Sequence, residues 1–158
     1  MNIKANRAYI ESLITGLAQQ TGIKFAETNK TWHTDVKKHV LFYNPRDLID
    51  YPIHAVKGLI LHELGHLLYT TDGKTTKLQK KYPIIHEVYN VFEDIRTESK
   101  LVATMGEFAD EPLAELTRTA FLNHIENTLS LENIEHILPL NQVLLAILAM
   151  SNTSTLTL

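Results

Sequence analysis

His62-Glu63-Leu64-Gly65-His66 is an H-E-x-x-H pattern. On a helix, residues four apart share a face one turn apart, so His62 and His66 can aim ring nitrogens at a single ion. Neutral imidazole is a common zinc ligand. Glu63 is offset by about 100° from His62, so it can reach a metal-bound water without occupying the metal. Binding to such a cation lowers the pKa of water toward roughly 7, and a carboxylate can then accept its proton. The pattern lies inside Ala55 to Tyr69, an apolar, helical stretch. Burying two histidines and a glutamate there without partners is costly, and a cation removes the conflict.

A catalytic zinc usually takes three protein ligands and keeps one position open. Asp72 is one source of the third. The longer pattern H-E-x-x-H-x-x-G-x-x-H fails, because Tyr69 replaces the glycine and Asp72 the last histidine. That argues against a metzincin-like reading. The second source is the helical stretch Asn90 to Glu98. Val88, Val91, Phe92 and Ile95 form its apolar stripe, which leaves Asn90, Glu93, Asp94 and Thr97 on the other side. A solvated face is the plain explanation for such acids. Beside the histidine helix, a ligand set explains them better. Glu93 is the expected third ligand. Asp94 or Asn90 would orient a ligating histidine through its other ring nitrogen. Glu87, roughly two turns earlier, and Asp94 compete with Glu93 for the ligand role, as does Asp72. Arg96 can pair with Glu93, Asp94 or a substrate carboxylate. Tyr43, Tyr69, His86 and Tyr89 are the candidates for stabilising an oxyanion.

These residues need elements to hold them. Ile10, Leu13, Ile14, Leu17 and Ala18 recur at helical spacing, and the helix should stop near Gly22. Ile23 and Phe25 alternate around Lys24 as in a short strand. Thr31 to Tyr43 reads as a β-hairpin or meander, with Asn44-Pro45 as the exit turn. Asp50 should cap the histidine helix, with Pro52 in its first turn. Pro83 should open the acidic helix. Asp110 should cap a further one, starting at Glu111-Pro112 and facing inward through Leu113, Leu116, Ala120, Phe121, Ile125 and Leu129. A last helical pair covers Leu131 to Leu138 and Leu140 to Met150. One domain over residues 1–150 and a polar tail over 151–158 are expected, with an α+β fold: a small N-terminal sheet on the histidine helix and a helical C-terminal half.

Composition narrows the partners. The 158 residues are 44% apolar and 21% charged, with a formal net charge of −3 and no cysteine. Disorder, disulfide scaffolds and thiolate sites are excluded. The acidic balance argues against a nucleic-acid backbone as partner. Met1 to Ile14 lacks the continuous apolar core of a signal peptide, and no apolar run approaches the roughly 20 residues of a membrane span. A cytoplasmic location and no membrane role are expected. Trp32 reads as packing. His33, His39, His54, His124 and His136 have no ligand spacing with one another.

The histidine motif followed by a helix carrying a glutamate resembles the gluzincin branch of zinc metallopeptidases. His62-Glu-Leu-Gly-His66-Leu-Leu is similar to the active-site helix of small ImmA/IrrE-type metallopeptidases of bacteria and phages. Asn90-x-x-Glu93-Asp94-x-Arg96-x-Glu98 looks still more like the metallopeptidase domains of bacteria and phages that accompany von Willebrand factor A-like domains. The resemblance spans Val40 to Glu98. It implies a minimal zincin-like domain, with zinc on His62, His66 and Glu93 and Glu63 as general base. It also implies a strand, assigned to Val40 to Tyr43, along which an extended peptide could pair. Hydrolysis of a peptide or protein substrate is the expected function. The alternative is an inactive or structural-zinc interaction module in a bacterial or phage assembly. The Asp-x-Ser-x-Ser pattern of a von Willebrand A-like domain is missing, so a stand-alone domain or the front part of a longer protein is expected.

Overall fold

The computed structural model describes residues 3–70, 81 and 83–130. The expected helical pair over 131–150 and the tail over 151–158 lie outside the described residues. The fold is α+β: one three-stranded sheet and five described helices. Helix α1 spans Ile3–Thr21 and buries Ile10 and Leu17. Gly22, at φ +71°, ends it in the left-handed conformation and donates its N–H to Ala18 O at 3.0 Å. A residue with a Cβ adopts that conformation at a cost.

Strand β1 (Lys24–Glu27) follows, then β2 (His33–Asp35) and β3 (Val40–Tyr43). β2 and β3 form the expected hairpin. Its connection holds no glycine, and His39 takes the left-handed position at φ 52°. The sheet order is β1-β3-β2, with β1 parallel to β3. This corrects the expectation that a peptide could pair along Val40–Tyr43. That strand is central, and both of its edges are occupied. β2 is an edge strand and packs on the histidine helix.

A single helical turn, α2 (Asp47–Asp50), separates the sheet from α3 (Ile53–Tyr69). Asp50 therefore closes α2 instead of capping α3, and Pro52 takes the N-cap position, accepting Val56 N–H at 3.0 Å. Trp32 is core, as expected, with its indole N–H donating to Asp47 Oδ2 at 2.7 Å. α3 is the central element. Ile60, Leu61 and Leu64 are fully buried between the sheet and the helices that follow.

Helix α4 (Pro83–Met105) opens at the expected proline. Its acidic face meets the histidine helix, as the ligand reading expects, but the stripe expected to be core is not fully buried: Val88, Val91 and Ile95 are half-buried. Phe92 is 60% exposed, while Glu93, Thr97 and Glu98 are buried with Leu101. The acidic face is the packed face. Gly106, at φ +59°, then breaks the chain, and α5 runs Glu107–Ser130. The Asp110 cap is overridden. The left-handed glycine stops α4, and its carbonyl accepts Ala109 and Asp110 N–H, so helix resumes before Pro112.

Pro112 lies inside α5, where its carbonyl oxygen faces Gly58 of α3. A Cβ on Gly58 would overlap that oxygen and would come within 2.7 Å of Leu116 Cβ. The same addition at Gly65 meets Thr97 no closer than 3.5 Å, an ordinary contact. Gly58→Ala should therefore destabilise the fold by about 1–3 kcal/mol, read from chemical unfolding, and Gly65→Ala should cost far less. Equal costs would contradict this packing.

Candidate metal centre

Four side chains from two helices meet in pairs. His62 Nδ1 lies 2.8 Å from Glu98 Oε1, and His66 Nε2 lies 3.1 Å from Asp94 Oδ1. The spacing of four on α3 is answered by a spacing of four on α4, in reverse order. Thr97 packs over Gly65 at this contact, with room for a Cβ at ordinary distance. The two imidazoles stand edge to face, with centroids 4.8 Å apart. His62, His66 and Asp94 each offer one ligand atom, and these atoms lie within 4.8 Å of one another.

The outward nitrogens are engaged. His62 Nδ1 meets Glu98, and His66 Nδ1 meets the Thr70 hydroxyl at 3.1 Å. With Nδ1 of each ring so occupied, the Nε2 atoms are the ones that would bind a cation, which would displace the proton shared between His66 Nε2 and Asp94. Glu63 is buried beside them at 8% exposure. Burial pushes its carboxyl above the usual range, against the opposing fields of His62, His66 and His33.

Glu93, the expected third ligand, stands outside the group formed by His62, His66 and Asp94. Glu93 points to Arg96, with Arg96 Nε at 2.8 Å from Oε2 and a terminal nitrogen at 2.6 Å from Oε1. Those bonds hold the Glu93 carboxyl below its ordinary range, although burial opposes them. A carboxylate held on both oxygens by a guanidinium is a poor ligand in this arrangement. Asp94, expected behind the histidines, stands beside them instead. Asn90, expected in the same supporting role, bonds His86 on its own helix at 3.1 Å. Asp72 and the Glu87 side chain lie outside the described residues.

Three of the four oxyanion candidates have hydrogen-bond partners elsewhere. The Tyr43 hydroxyl donates to Glu27, Tyr69 meets the Thr104 hydroxyl at 3.1 Å, and His86 meets Asn90. Glu98 and Thr70 received no role from the sequence, yet they hold the two rings. The signal for Glu98 was present: Asp94 and Glu98 repeat the spacing of His62 and His66. Thr70 carried no such signal. Among the described residues, no helix is long and apolar enough to cross a membrane. No family model, curated protein or solved structure matches the chain.

Burial disfavours a charge on His62. The hydrogen bond to Glu98 and the fields of Asp94, Glu98 and Glu63 outweigh it and push the pKa up to about 9. A pKa raised on folding gives stability that is full below the unfolded value and is lost as pH climbs through the folded value. The metal-free protein should therefore lose stability between about pH 6.5 and about pH 9. In Glu98→Gln that loss should shrink, because the main partner of the cation is gone. Chemical unfolding across this range checks both, and a loss undiminished in the variant would contradict the pairing.

Proposed function

We propose that this chain is a metal-dependent hydrolase of peptide bonds, with zinc as the expected ion. The observation that carries the reading is the convergence of His62, His66 and Asp94 beside a buried Glu63. Two imidazole nitrogens and a carboxylate oxygen suit zinc and other first-row divalent ions. These three residues would hold the ion. When bound, the ion supplies Lewis acidity toward a carbonyl oxygen and lowers the pKa of a water. Glu63 then does the proton work. It follows His62 directly, accepts a proton from water and passes one to the leaving amine. Burial raises its pKa above the ordinary carboxyl value, which makes it a stronger base than an exposed carboxylate. β2 supports the same reading: it is an edge strand against α3, suited to hold an extended substrate by backbone pairing.

The resemblance to gluzincin-type metallopeptidases fits this proposal, with the third ligand moved from Glu93 to Asp94. A zincin-like assignment, a peptide or protein substrate and a cytoplasmic location belong to the same proposal. One observation favours a second reading. His66 and Asp94 already contact each other at 3.1 Å, as a closed network or a structural site in an interaction module would require.

Metal analysis separates the readings. Protein purified without added metal or a histidine tag should carry about one zinc per chain, and Asp94→Ala should lose most of it. Glu63→Gln should keep the metal and cut cleavage of a peptide library by at least about 100-fold. Cleavage unchanged in that variant would remove Glu63 from the mechanism. Protein that takes up no metal when zinc is offered would overturn the hydrolase reading.

A further inference from the structure

We infer that Arg96 is a positioning residue for the metal site: its guanidinium straps the last turn of α3, which carries His66, to the turn of α4 that carries Asp94, and this strap sets how tightly the site holds its ion. The inference rests on the metal-site reading above. Tyr69 is the last residue of α3, and a helix leaves its last four carbonyls without a partner inside the helix. A terminal nitrogen of Arg96 donates to Tyr69 O at 2.8 Å. A cation at a helix C-terminus is favourable in itself. The same nitrogen lies 2.6 Å from Glu93 Oε1, and Nε lies 2.8 Å from Glu93 Oε2. A guanidinium that holds both oxygens of a carboxylate has a fixed plane and direction. The bond to Tyr69 therefore starts from a rigid base on α4.

Tyr69 is fastened to α4 at its other end too. Its hydroxyl meets the Thr104 hydroxyl at 3.1 Å, and Lys100 Nζ stands 5.7 Å from its ring centroid. Thr104 gives its one proton to Lys100 O at 2.8 Å, so the Tyr69 hydroxyl is the donor between the two. His66 lies one turn before Tyr69, and its carbonyl accepts Thr70 N–H at 3.0 Å. On α4, Asp94 lies between Glu93 and Arg96 in the chain. The strap thus joins the two turns that bring His66 Nε2 and Asp94 Oδ1 to 3.1 Å. His62 sits one turn deeper in α3 and meets the buried Glu98, so it needs no such tie. Helix ends open locally at little cost when nothing holds them. A ligand pair already held together spares the ion the cost of ordering it.

Two measurements test this, and the first needs no metal. Arg96→Met keeps the apolar stem and removes the guanidinium. In the metal-free variant, amide hydrogen exchange at Thr70 should speed up by about 10-fold, while Ile60 and Leu61 in the middle of α3 keep their wild-type rates. The second measurement is zinc affinity, in competition with a chromophoric chelator. Arg96→Met should bind zinc about 10-fold more weakly than wild type. That variant also leaves the buried Glu93 without its cation. Glu93→Gln/Arg96→Met removes the charge as well, and it should bind as weakly as Arg96→Met. Wild-type exchange at Thr70 in Arg96→Met would overturn the strap. Faster exchange throughout α3 would also overturn it, by making Arg96 a general prop of the fold. Zinc held by Arg96→Met as tightly as by wild type, or more tightly, would overturn the effect on the site, with Glu93 free to serve the ion itself. Wild-type affinity restored in the double variant would do the same, since the buried charge would then be the cause. A wild-type protein that takes up no zinc would sink the metal-site reading, and the exchange rates would then judge the strap alone.

Discussion

Helix α3 can bury His62, Glu63 and His66 only where a second helix answers them with carboxylates. An unpaired polar group in an apolar setting costs too much to persist. α4 meets that demand with Asp94 and Glu98, set at the same interval and matched in reverse order. The rest of the arrangement follows from it. α4 must turn its acidic face inward, which leaves Phe92 exposed, while Leu101 near its end still reaches the core. Arg96 must lie at the edge of the contact, where it can hold Glu93 and the end of α3 together.

This explains what was legible in the sequence. The i, i+4 histidines lie on a helix of nearly the expected extent, because spacing and apolar context agreed there. The α+β order was legible for the same reason, with Gly22 and Pro83 acting as local punctuation. The acidic face of α4 was legible as a partner of the histidines, while the stripe opposite it was expected to be core. Phe92 of that stripe is exposed instead. The choice among the acids was beyond the sequence. Adjacent residues differ by about 100° in direction, so the ligand could not be chosen without knowing how α4 sits on α3.

Sheet order was also beyond local pattern. The hairpin was readable from its alternation, but the parallel pairing of β1 with β3 depends on where α1 delivers the chain. The later start of α5 expected at Asp110 failed because two helix signals stood close together. Asp110 offered a side-chain cap, and Gly106 offered a left-handed stop just upstream. The glycine acts first along the chain, and its carbonyl begins the next helix.

The two helices that flank α3 hold it in different ways. Against α5, Gly58 meets a backbone carbonyl with no room for even a methyl group, so that seat is rigid. Against α4, a methyl group added at Gly65 would meet Thr97 only at ordinary contact distance. The histidine helix is therefore seated from one side and chemically addressed from the other. For protein engineering this amounts to a division of labour. The ligand-bearing surface of α4 can be rewritten, for example to exchange Asp94 for an imidazole and so select a different ion, while the seat that fixes His62 and His66 in space stays as it is.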